Sequence, residues 1–165
     1  MKNCIVIVGK IASGKSTIAR EVAGILGYKF FEVSDVVRDL TGRQRDTIRL
    51  NQLTGQMIAE ELMKRLLIES NYVVSGPRQY EILVELRKYF KVHLVKVDVC
   101  ERERAKRAKQ REESTLEQVR EGDKLDVQLG FDKVLKTRGY TVKGNKCLRE
   151  NVQEIVTYIV EKGVQ

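Results

Sequence analysis

The feature that most constrains this chain is the stretch IVIVGKIASGKSTIARE, residues 5–21, where an apolar run breaks at glycine and small residues and then continues as a helix pattern. Gly9, Gly14, Lys15 and Ser16 fit the spacing of glycine, four residues, then Gly-Lys-Ser/Thr, which forms a phosphate-binding loop. That motif requires a strand before the loop and a helix after it, and residues 4–26 have both patterns. The sequence therefore predicts a nucleotide site at this loop.

Each residue type in the loop has a chemical reason to be there. Glycine at positions 9 and 14 permits backbone angles that a Cβ would forbid, so successive N–H groups can point at phosphate oxygens beside the positive end of the helix dipole. Lys15 is expected to reach the β- and γ-phosphates, Ser16 to ligate Mg²⁺, and Thr17 to lie near the α-phosphate. The residues predicted to bind ATP here are Gly9, Ala12, Ser13, Gly14, Lys15, Ser16 and Thr17. The alternative interpretation is a glycine-rich helix entry with a chance lysine.

Strand and helix patterns alternate along the rest of the chain. Strands are predicted at 4–9, 29–33, 72–76, 92–99 and 140–144. Helices are predicted at 15–26, 35–40, 46–69, 79–89, 101–112, 115–137 with a break near Gly130, and 148–162. This alternation predicts an α/β fold with a parallel sheet covered by helices on both faces.

Length and composition favour one domain over residues 1–165, because a chain of this size buries roughly 70% of its unfolded surface. Cys4, Cys100 and Cys147 are far apart and lack metal-ligand spacing, which predicts reduced thiols and a cytosolic setting. No secretory leader pattern and no run of 18 apolar residues is found in the sequence, so no membrane partner is expected.

The net charge of +8 indicates an anionic partner. Four arginines lie in VVRDLTGRQRDTIR (36–49), and six basic residues lie in ERERAKRAKQREE (101–113). Nucleic acid is a possible partner on this basis, although salt-bridged helix faces explain most such runs.

Four short motifs occur along the chain in an order typical of one enzyme superfamily. The loop lies near the N-terminus, SDVVRD (34–39) follows the second predicted strand, SGPR (75–78) follows the third, and an arginine-rich helix follows the fourth. With these motifs the chain resembles the P-loop nucleoside monophosphate kinase superfamily. Within it the chain is most similar to archaeal adenylate-kinase-related proteins, and less so to dephospho-coenzyme A kinases and phage deoxynucleotide kinases. The resemblance implies a five-stranded parallel sheet, a helical acceptor-binding insert at about 36–66, a short lid at about 101–125, and the cofactors ATP and Mg²⁺.

The same resemblance implies roles for five arginines. Arg38 matches the arginine that holds the acceptor phosphate, and Arg78 matches the arginine of an Asp-Gly-Phe-Pro-Arg motif. Arg104, Arg107 and Arg111 are spaced at i, i+3 and i+7, so one helix face is expected to present them to the transferring phosphate as catalytic residues. The alternative for each is an ordinary surface arginine.

Two positions near strand ends concern the acid that such a reaction uses. Asp35 follows the second predicted strand and is a candidate catalytic and acceptor-binding residue, either positioning Mg²⁺ or taking a proton from an acceptor hydroxyl. Capping of the next helix is its alternative role. Ser75 stands where the superfamily usually has an aspartate that orders the magnesium shell, which predicts that Asp35 contributes more or that catalysis is slow.

Four further residues carry weaker expectations. Asp123 and Asp126 are expected to hold arginines of the lid, and Asn145, after the fifth predicted strand, is expected to lie beside adenine in the ATP site. His93 lies within an apolar strand and is expected to be a satisfied core residue with no part in catalysis.

Three functions are compatible with these patterns. The first is ATP- and Mg²⁺-dependent transfer of a phosphate to a nucleoside monophosphate, either AMP or a deoxynucleotide. The second keeps the kinase and makes the acceptor a hydroxyl, as in dephospho-coenzyme A. The third is a nucleotide-binding switch or RNA-associated factor without transfer, which predicts RNA affinity that falls steeply with salt. The sequence alone leaves the acceptor and the oligomeric state open.

Overall fold

A five-stranded sheet forms the centre of the protein. The computed structural model describes residues 1–42, 53–111 and 114–163. Its strands are β1 (Lys2–Gly9), β2 (Lys29–Glu32), β3 (Tyr72–Ser75), β4 (Phe90–Asp98) and β5 (Tyr140–Lys143). All of them pair in parallel, in the order β2-β3-β1-β4-β5. The predicted α/β fold with a five-stranded parallel sheet is confirmed.

Helices follow the strands and cover both faces of the sheet. Those in the described ranges are α1 (Lys15–Leu26), α2 (Val33–Thr41), α3 (Gly55–Arg65), α4 (Tyr80–Tyr89), α5 (Glu101–Gln110), α6 (Leu116–Gln128), α7 (Phe131–Lys136) and α8 (Leu148–Glu161). Val6 and Val8 of β1 face a core shared with α2, α3, α4 and α7, whereas Ile5 and Ile7 face a core shared with α1 and α8. Because both faces are buried, β1 is a continuous apolar run.

The carboxyl ends of the strands meet at one edge of the sheet. Ser75 pairs with Ile7 on one side and with Glu32 on the other, and Gly9 pairs with Val97. The segments after β1, β2, β3 and β4 therefore start side by side. In open parallel sheets this edge is where ligands bind.

The predicted helix 46–69 is wrong as a single element. Residues 43–52 lie outside the described ranges, while Leu53 and Thr54 are not helical. Thr54 is extended and its side chain accepts a hydrogen bond from Met57 N at 3.2 Å, so it is the N-cap of α3. At the other end Leu66 is extended, and its buried side chain packs in the core. Leu67 and Ile68, which follow it, are exposed and do not continue the helix.

The helix predicted at 101–112 ends earlier than expected. Helix α5 stops at Gln110, and Arg111 is its C-cap. The expected break near Gly130 is confirmed, since α6 and α7 are separate helices and Gly130 has a φ of 85°. The other helix and strand ends lie within two residues of the predictions.

The cysteines and the histidine lie outside the motif loop in the sequence. All three cysteines are free thiols, with Cys4 buried and the other two exposed, and burial raises the pKa of Cys4. The cytosolic setting stays a prediction.

His93 is only half-buried, and its Nε2 has no hydrogen-bond partner within the described residues, so the expectation of a satisfied core histidine is wrong. Burial lowers its pKa, with a smaller effect from Lys91. No helix of the described residues is long and apolar enough to span a membrane.

Candidate functional site

The motif loop turns sharply between β1 and α1. Ser13 N donates to Lys10 O at 3.1 Å, and Ile18 N donates to Gly14 O at 3.0 Å. Gly14 caps α1 with a φ of 84°, a left-handed conformation that glycine adopts without strain. Ala12 is also left-handed, with a φ of 60°, and a backbone of this kind costs about 1–3 kcal/mol unless its surroundings hold it.

Three arginines from later parts of the chain hold the loop by its carbonyl groups. Arg78 Nη1 donates to Gly9 O at 2.8 Å, Arg104 Nη1 to Ile11 O at 3.1 Å, and Arg107 Nη1 to Ser13 O at 3.2 Å. The carbonyl groups of alternate loop residues are thereby fixed. This bonding supports the strained loop before any ligand arrives.

Arg104 is the most deeply buried of these arginines. Its side chain is 2% exposed, its Nε donates to Val99 O at 3.2 Å, and Nη1 and Nη2 donate to the two Asp123 oxygens at 3.0 and 2.7 Å. Beside this pair Gly122 lets α6 approach the loop, because a Cβ there would collide with the Ile11 side chain. Arg104 therefore positions the loop and the lid, and its guanidinium is not presented to a phosphate. Asp123 holds a lid arginine as predicted.

On one side of the loop lies a cavity of about 360 Å³, which we call the α2 cavity. Its wall is formed by the start of α1, the end of β2, α2, the segment after β3, and α6. The charged residues among its described lining are Lys15, Glu32, Arg38, Arg78 and Asp126, and Ser16 also lines it. Basic and acidic groups thus converge on the lysine of the motif.

Of the predicted acceptor residues, two arginines reach the α2 cavity and one acid does not. Arg38 and Arg78 both line it. Asp35 is exposed, is not among the lining residues, and forms an ion pair with Arg38 at 2.6 Å. Arg78 lies 3.3 Å from Asp126 and stacks over the Phe131 ring at 4.6 Å. Asp126 thus pairs with an arginine of the segment after β3, whereas the expectation placed an arginine of the lid beside it.

Glu32 is the acid that sequence reasoning missed. It ends β2 directly opposite Ser75 in the sheet register. A Cβ built on Gly76 would lie 2.9 Å from Glu32 Oε1 and 3.4 Å from Lys15 Cε, so the bare glycine leaves room for both side chains. Its only sequence signal was its place as the last polar residue of a strand at the ligand-binding edge.

The oxygen atoms beside Lys15 fit Mg²⁺. Ser75 Oγ donates to Ser16 Oγ at 3.4 Å, and the Glu32 carboxylate lies on the strand next to Ser75. Hydroxyl and carboxylate oxygens are the hard ligands that Mg²⁺ takes, usually together with phosphate oxygens and water. Ser16 and Glu32 are therefore the residues that would hold the ion.

On the other side of the loop lies a cavity of about 300 Å³, which we call the α8 cavity. Its described lining is Ser13, Gly14, Thr17, Ile18, Arg107, Gln110, Arg111, Lys146, Leu148 and Asn151. Arg107 also donates to Gly144 O at 2.7 Å, which joins the lid to the end of β5. The predicted nucleotide residue Asn145 is exposed and lies outside this lining.

Comparison with known proteins identifies the family to which this chain belongs. The model of the AAA domain family AAA_33 matches residues 4–129, which include the loop, the α2 cavity and the lid. The chain belongs to this family. It is also 30% identical to a UPF0200 protein of Aeropyrum pernix strain K1 over 161 residues, covering 88% of this chain and 86% of that protein.

Solved structures show the same fold over nearly the whole chain. A gluconokinase from Sinorhizobium meliloti 1021 superposes with a TM-score of 0.72 at 20% identity, covering 97% of this chain and 93% of that one. A shikimate kinase from Acinetobacter baumannii, solved in complex with shikimate, has a TM-score of 0.69 at 17% identity, covering 100% and 97%. The fold is that of P-loop kinases.

The AAA_33 match does not extend to the last part of the site. It ends at residue 129, so β5 and α8 lie beyond it. The α8 cavity receives Lys146, Leu148 and Asn151 from this unmatched segment. The family match therefore says nothing about that part of the lining.

Proposed function

We propose that this protein is an ATP- and Mg²⁺-dependent phosphotransferase whose acceptor is a nucleoside monophosphate, AMP or a deoxynucleotide. The observation that carries the proposal is the α2 cavity, in which Lys15 and Ser16 share one space with Arg38 and Arg78. Two arginines near the phosphate-transfer position suit an acceptor that itself carries a phosphate, because a guanidinium pairs with phosphate oxygens through two hydrogen bonds.

The reaction needs charge neutralisation more than covalent help. An oxygen of the acceptor phosphate is ionised near neutral pH, so it attacks the γ-phosphorus without a base, and the bond to the β–γ bridging oxygen breaks to release ADP. Bound Mg²⁺ neutralises phosphate charge. In this proposal Lys15 stabilises the charge on the transferring group, and Arg38 and Arg78 hold the acceptor.

The lid arginines have separate roles in the proposal. Arg107 and Arg111 line the α8 cavity, so they lie on the nucleotide side of the loop. Arg104 acts as a positioning residue through the loop carbonyl and Asp123. In this proposal Lys15 is therefore the catalytic residue, and Arg107 and Arg111 bind the nucleotide.

The direct test is a screen of ATP consumption against all ribo- and deoxynucleoside monophosphates together with dephospho-coenzyme A. We expect one nucleoside monophosphate to stimulate ADP release well above the rate without acceptor. ATP binding with no stimulation by any acceptor would overturn the proposal and favour a nucleotide-binding switch.

Substitution of Arg38 tests the acceptor side. The Arg38 side chain is 56% exposed and lines the α2 cavity, so Arg38→Ala should leave folding intact and remove one charge-assisted contact. We expect the acceptor KM to rise by about 10- to 100-fold, with little change in the ATP KM. Steady-state kinetics with each substrate varied in turn gives both values. Arg87→Ala, on the exposed face of α4, is the control, and equal effects of Arg38→Ala on both substrates would remove this residue from the acceptor site.

A second candidate function, transfer to a hydroxyl, is supported by Glu32. Glu32 supplies a carboxylate beside Lys15 in the α2 cavity, and transfer to a hydroxyl requires a general base of this kind. Two proteins with a similar fold are named gluconokinase and shikimate kinase. Gluconate and shikimate, to which those names refer, both carry hydroxyl groups. Asp35, the base expected from sequence for this function, lies outside the lining.

Glu32→Gln distinguishes the two functions. With a phosphate acceptor we expect kcat to fall by less than about tenfold and part of the loss to be recovered by raising Mg²⁺, since the oxygen needs no base. With a hydroxyl acceptor the loss should be on the order of 10²–10⁴ and insensitive to Mg²⁺. Turnover measured over a range of Mg²⁺ concentrations separates these outcomes. Asp39→Asn is the matched control, because it neutralises an exposed carboxylate of α2 that lies outside the cavity.

A further inference from the structure

Helix α6 carries two acids, Asp123 and Asp126, which are three residues apart and therefore lie on one face of the helix. Asp123 pairs with Arg104, and Asp126 pairs with Arg78. Both arginines also donate to carbonyl groups of the motif loop. Each ion pair thus joins the lid to the loop.

The two ion pairs differ in how tightly they are built. Arg104 is 2% exposed, and its Nη1 and Nη2 bond to the two carboxylate oxygens of Asp123 at 3.0 and 2.7 Å. Arg78 is 19% exposed, and its Nη1 lies 3.3 Å from Asp126 Oδ2 while the same nitrogen donates to Gly9 O at 2.8 Å. A short bidentate pair is stronger than a longer contact that is shared with a carbonyl. The Asp123 pair is therefore a fixed anchor of the lid, and the Asp126 pair is the contact that a ligand can replace.

The weaker pair is also the one that borders the α2 cavity. Arg78 and Asp126 both line this cavity together with Arg38, whereas neither Arg104 nor Asp123 is among its described lining. In the proposed function Arg38 and Arg78 hold the phosphate of the acceptor. An acceptor that enters the cavity therefore meets an arginine whose charge is already paired with a carboxylate.

A phosphate is a stronger partner for Arg78 than this carboxylate. It bonds to a guanidinium through two short parallel hydrogen bonds, whereas Asp126 lies 3.3 Å away. The Asp126 side chain is 10% exposed, so water screens its charge only weakly. A phosphate and this carboxylate held together on one guanidinium would repel each other.

We propose that Asp126 competes with the acceptor for Arg78. The carboxylate holds this arginine in the acceptor-free protein, and the phosphate of the acceptor displaces it. Displacement releases the C-terminal part of α6 from the segment after β3, while Asp123 keeps the helix on the loop, so occupancy of the acceptor site is communicated to the lid. The inference rests on the acceptor site of the proposed function but not on transfer of a phosphate.

The test is equilibrium binding of AMP and of the deoxynucleoside monophosphates to the full chain without ATP, measured by isothermal titration calorimetry. Asp126→Asn keeps the shape of the side chain and removes its charge. We expect the Kd of the monophosphate that binds the unmodified protein to fall by about three- to tenfold in this variant, because the phosphate no longer displaces a charged group. Weaker binding of the same ligand to Arg38→Ala would place it in the α2 cavity.

Asp132→Asn is the matched control, since it removes an exposed carboxylate of α7 that lies outside the cavity. It should leave the Kd unchanged, which separates competition for Arg78 from a general gain in positive charge. Unchanged binding in Asp126→Asn would overturn the inference. Weaker binding would also overturn it and leave Asp126 as a residue that positions Arg78.

A second measurement needs no variant of α6. We expect hydrogen exchange of the amides near Asp126 to become faster when the monophosphate binds, and exchange near Asp123 to stay the same. Slower or unchanged exchange near Asp126 would contradict displacement. Tighter binding to Asp126→Asn without transfer to any acceptor would refute the proposed kinase activity and leave this inference standing, and transfer with unchanged binding would do the reverse. Failure of every monophosphate to bind would refute both.

Discussion

Lys15→Ala is expected to abolish ATP-dependent phosphoryl transfer, with a loss of at least about 10³-fold in kcat/KM. The lysine lines the α2 cavity at the start of α1. In the proposed reaction its positive charge stabilises the transferring phosphate, and stabilisation of this kind is commonly the largest contribution to such a reaction. The measurement is ADP release in the presence of the acceptor identified by the screen.

The fold should survive this change. Lys15 is half-buried and its side chain faces a cavity, so we expect the free energy of unfolding to change by less than about 1 kcal/mol. Lys136→Ala, which removes a lysine with an 80% exposed side chain on α7, controls for the loss of one positive charge. Undiminished turnover in Lys15→Ala would refute the enzymatic interpretation of the loop.

Arg104→Ala is expected to cost about 3–5 kcal/mol of folding stability, because it leaves a largely buried carboxylate without its partner. The change removes both bonds to Asp123 and those to the Val99 and Ile11 carbonyls. Urea unfolding followed by circular dichroism gives the free energy. Arg104→Lys should lose most of the same folding stability, since an ammonium group cannot form the paired bonds of a guanidinium.

Helices α5 and α6 also form a solvent-exposed ion pair, which serves as the control. Arg120 of α6 and Glu101 of α5 form an ion pair at 2.9 Å, with side chains 56% and 43% exposed, and Arg120→Ala should cost no more than about 1 kcal/mol. A double variant, Arg104→Met with Asp123→Leu, should recover much of the stability lost in Arg104→Ala. Unchanged stability of Arg104→Ala would contradict the positioning role and favour the catalytic role that the sequence predicted for this arginine.

Much of the backbone was predictable because its signals are local. The glycine spacing of the loop, the apolar run before it and the helix pattern after it all concern neighbouring residues, and the structure places β1, the loop and α1 accordingly. The prediction of a single helix over 46–69 was wrong because it, too, relied on a local pattern alone. An apolar pattern continues through Thr54 and past Leu66, but capping at Thr54 and burial of Leu66 end α3 at both sides.

The arginines show where sequence reasoning stops. The family resemblance, with helical spacing for the last three, predicted Arg38, Arg78, Arg104, Arg107 and Arg111 as phosphate ligands, but a guanidinium also pairs with a carbonyl or a carboxylate. Only the packing of α5 against α6 buries Arg104 on Asp123, and only the sheet edge brings Arg78 to Gly9 O. Helical spacing predicts a shared face and does not predict which groups that face meets.

By itself the sequence determined the glycine-rich loop with its lysine and serine and the parallel α/β sheet, because these depend on local backbone geometry and on burial patterns of regular period. The tertiary structure alone decided that Glu32, and not Asp35, shares a cavity with Lys15, and that Asn151, and not Asn145, lines the cavity on the other side of the loop. The reason is physical. Residues such as Lys15 and Asn151 are far apart in the chain, and whether they border the site is set by how sheet and helices pack together, at an accuracy of a few ångströms that no local pattern encodes.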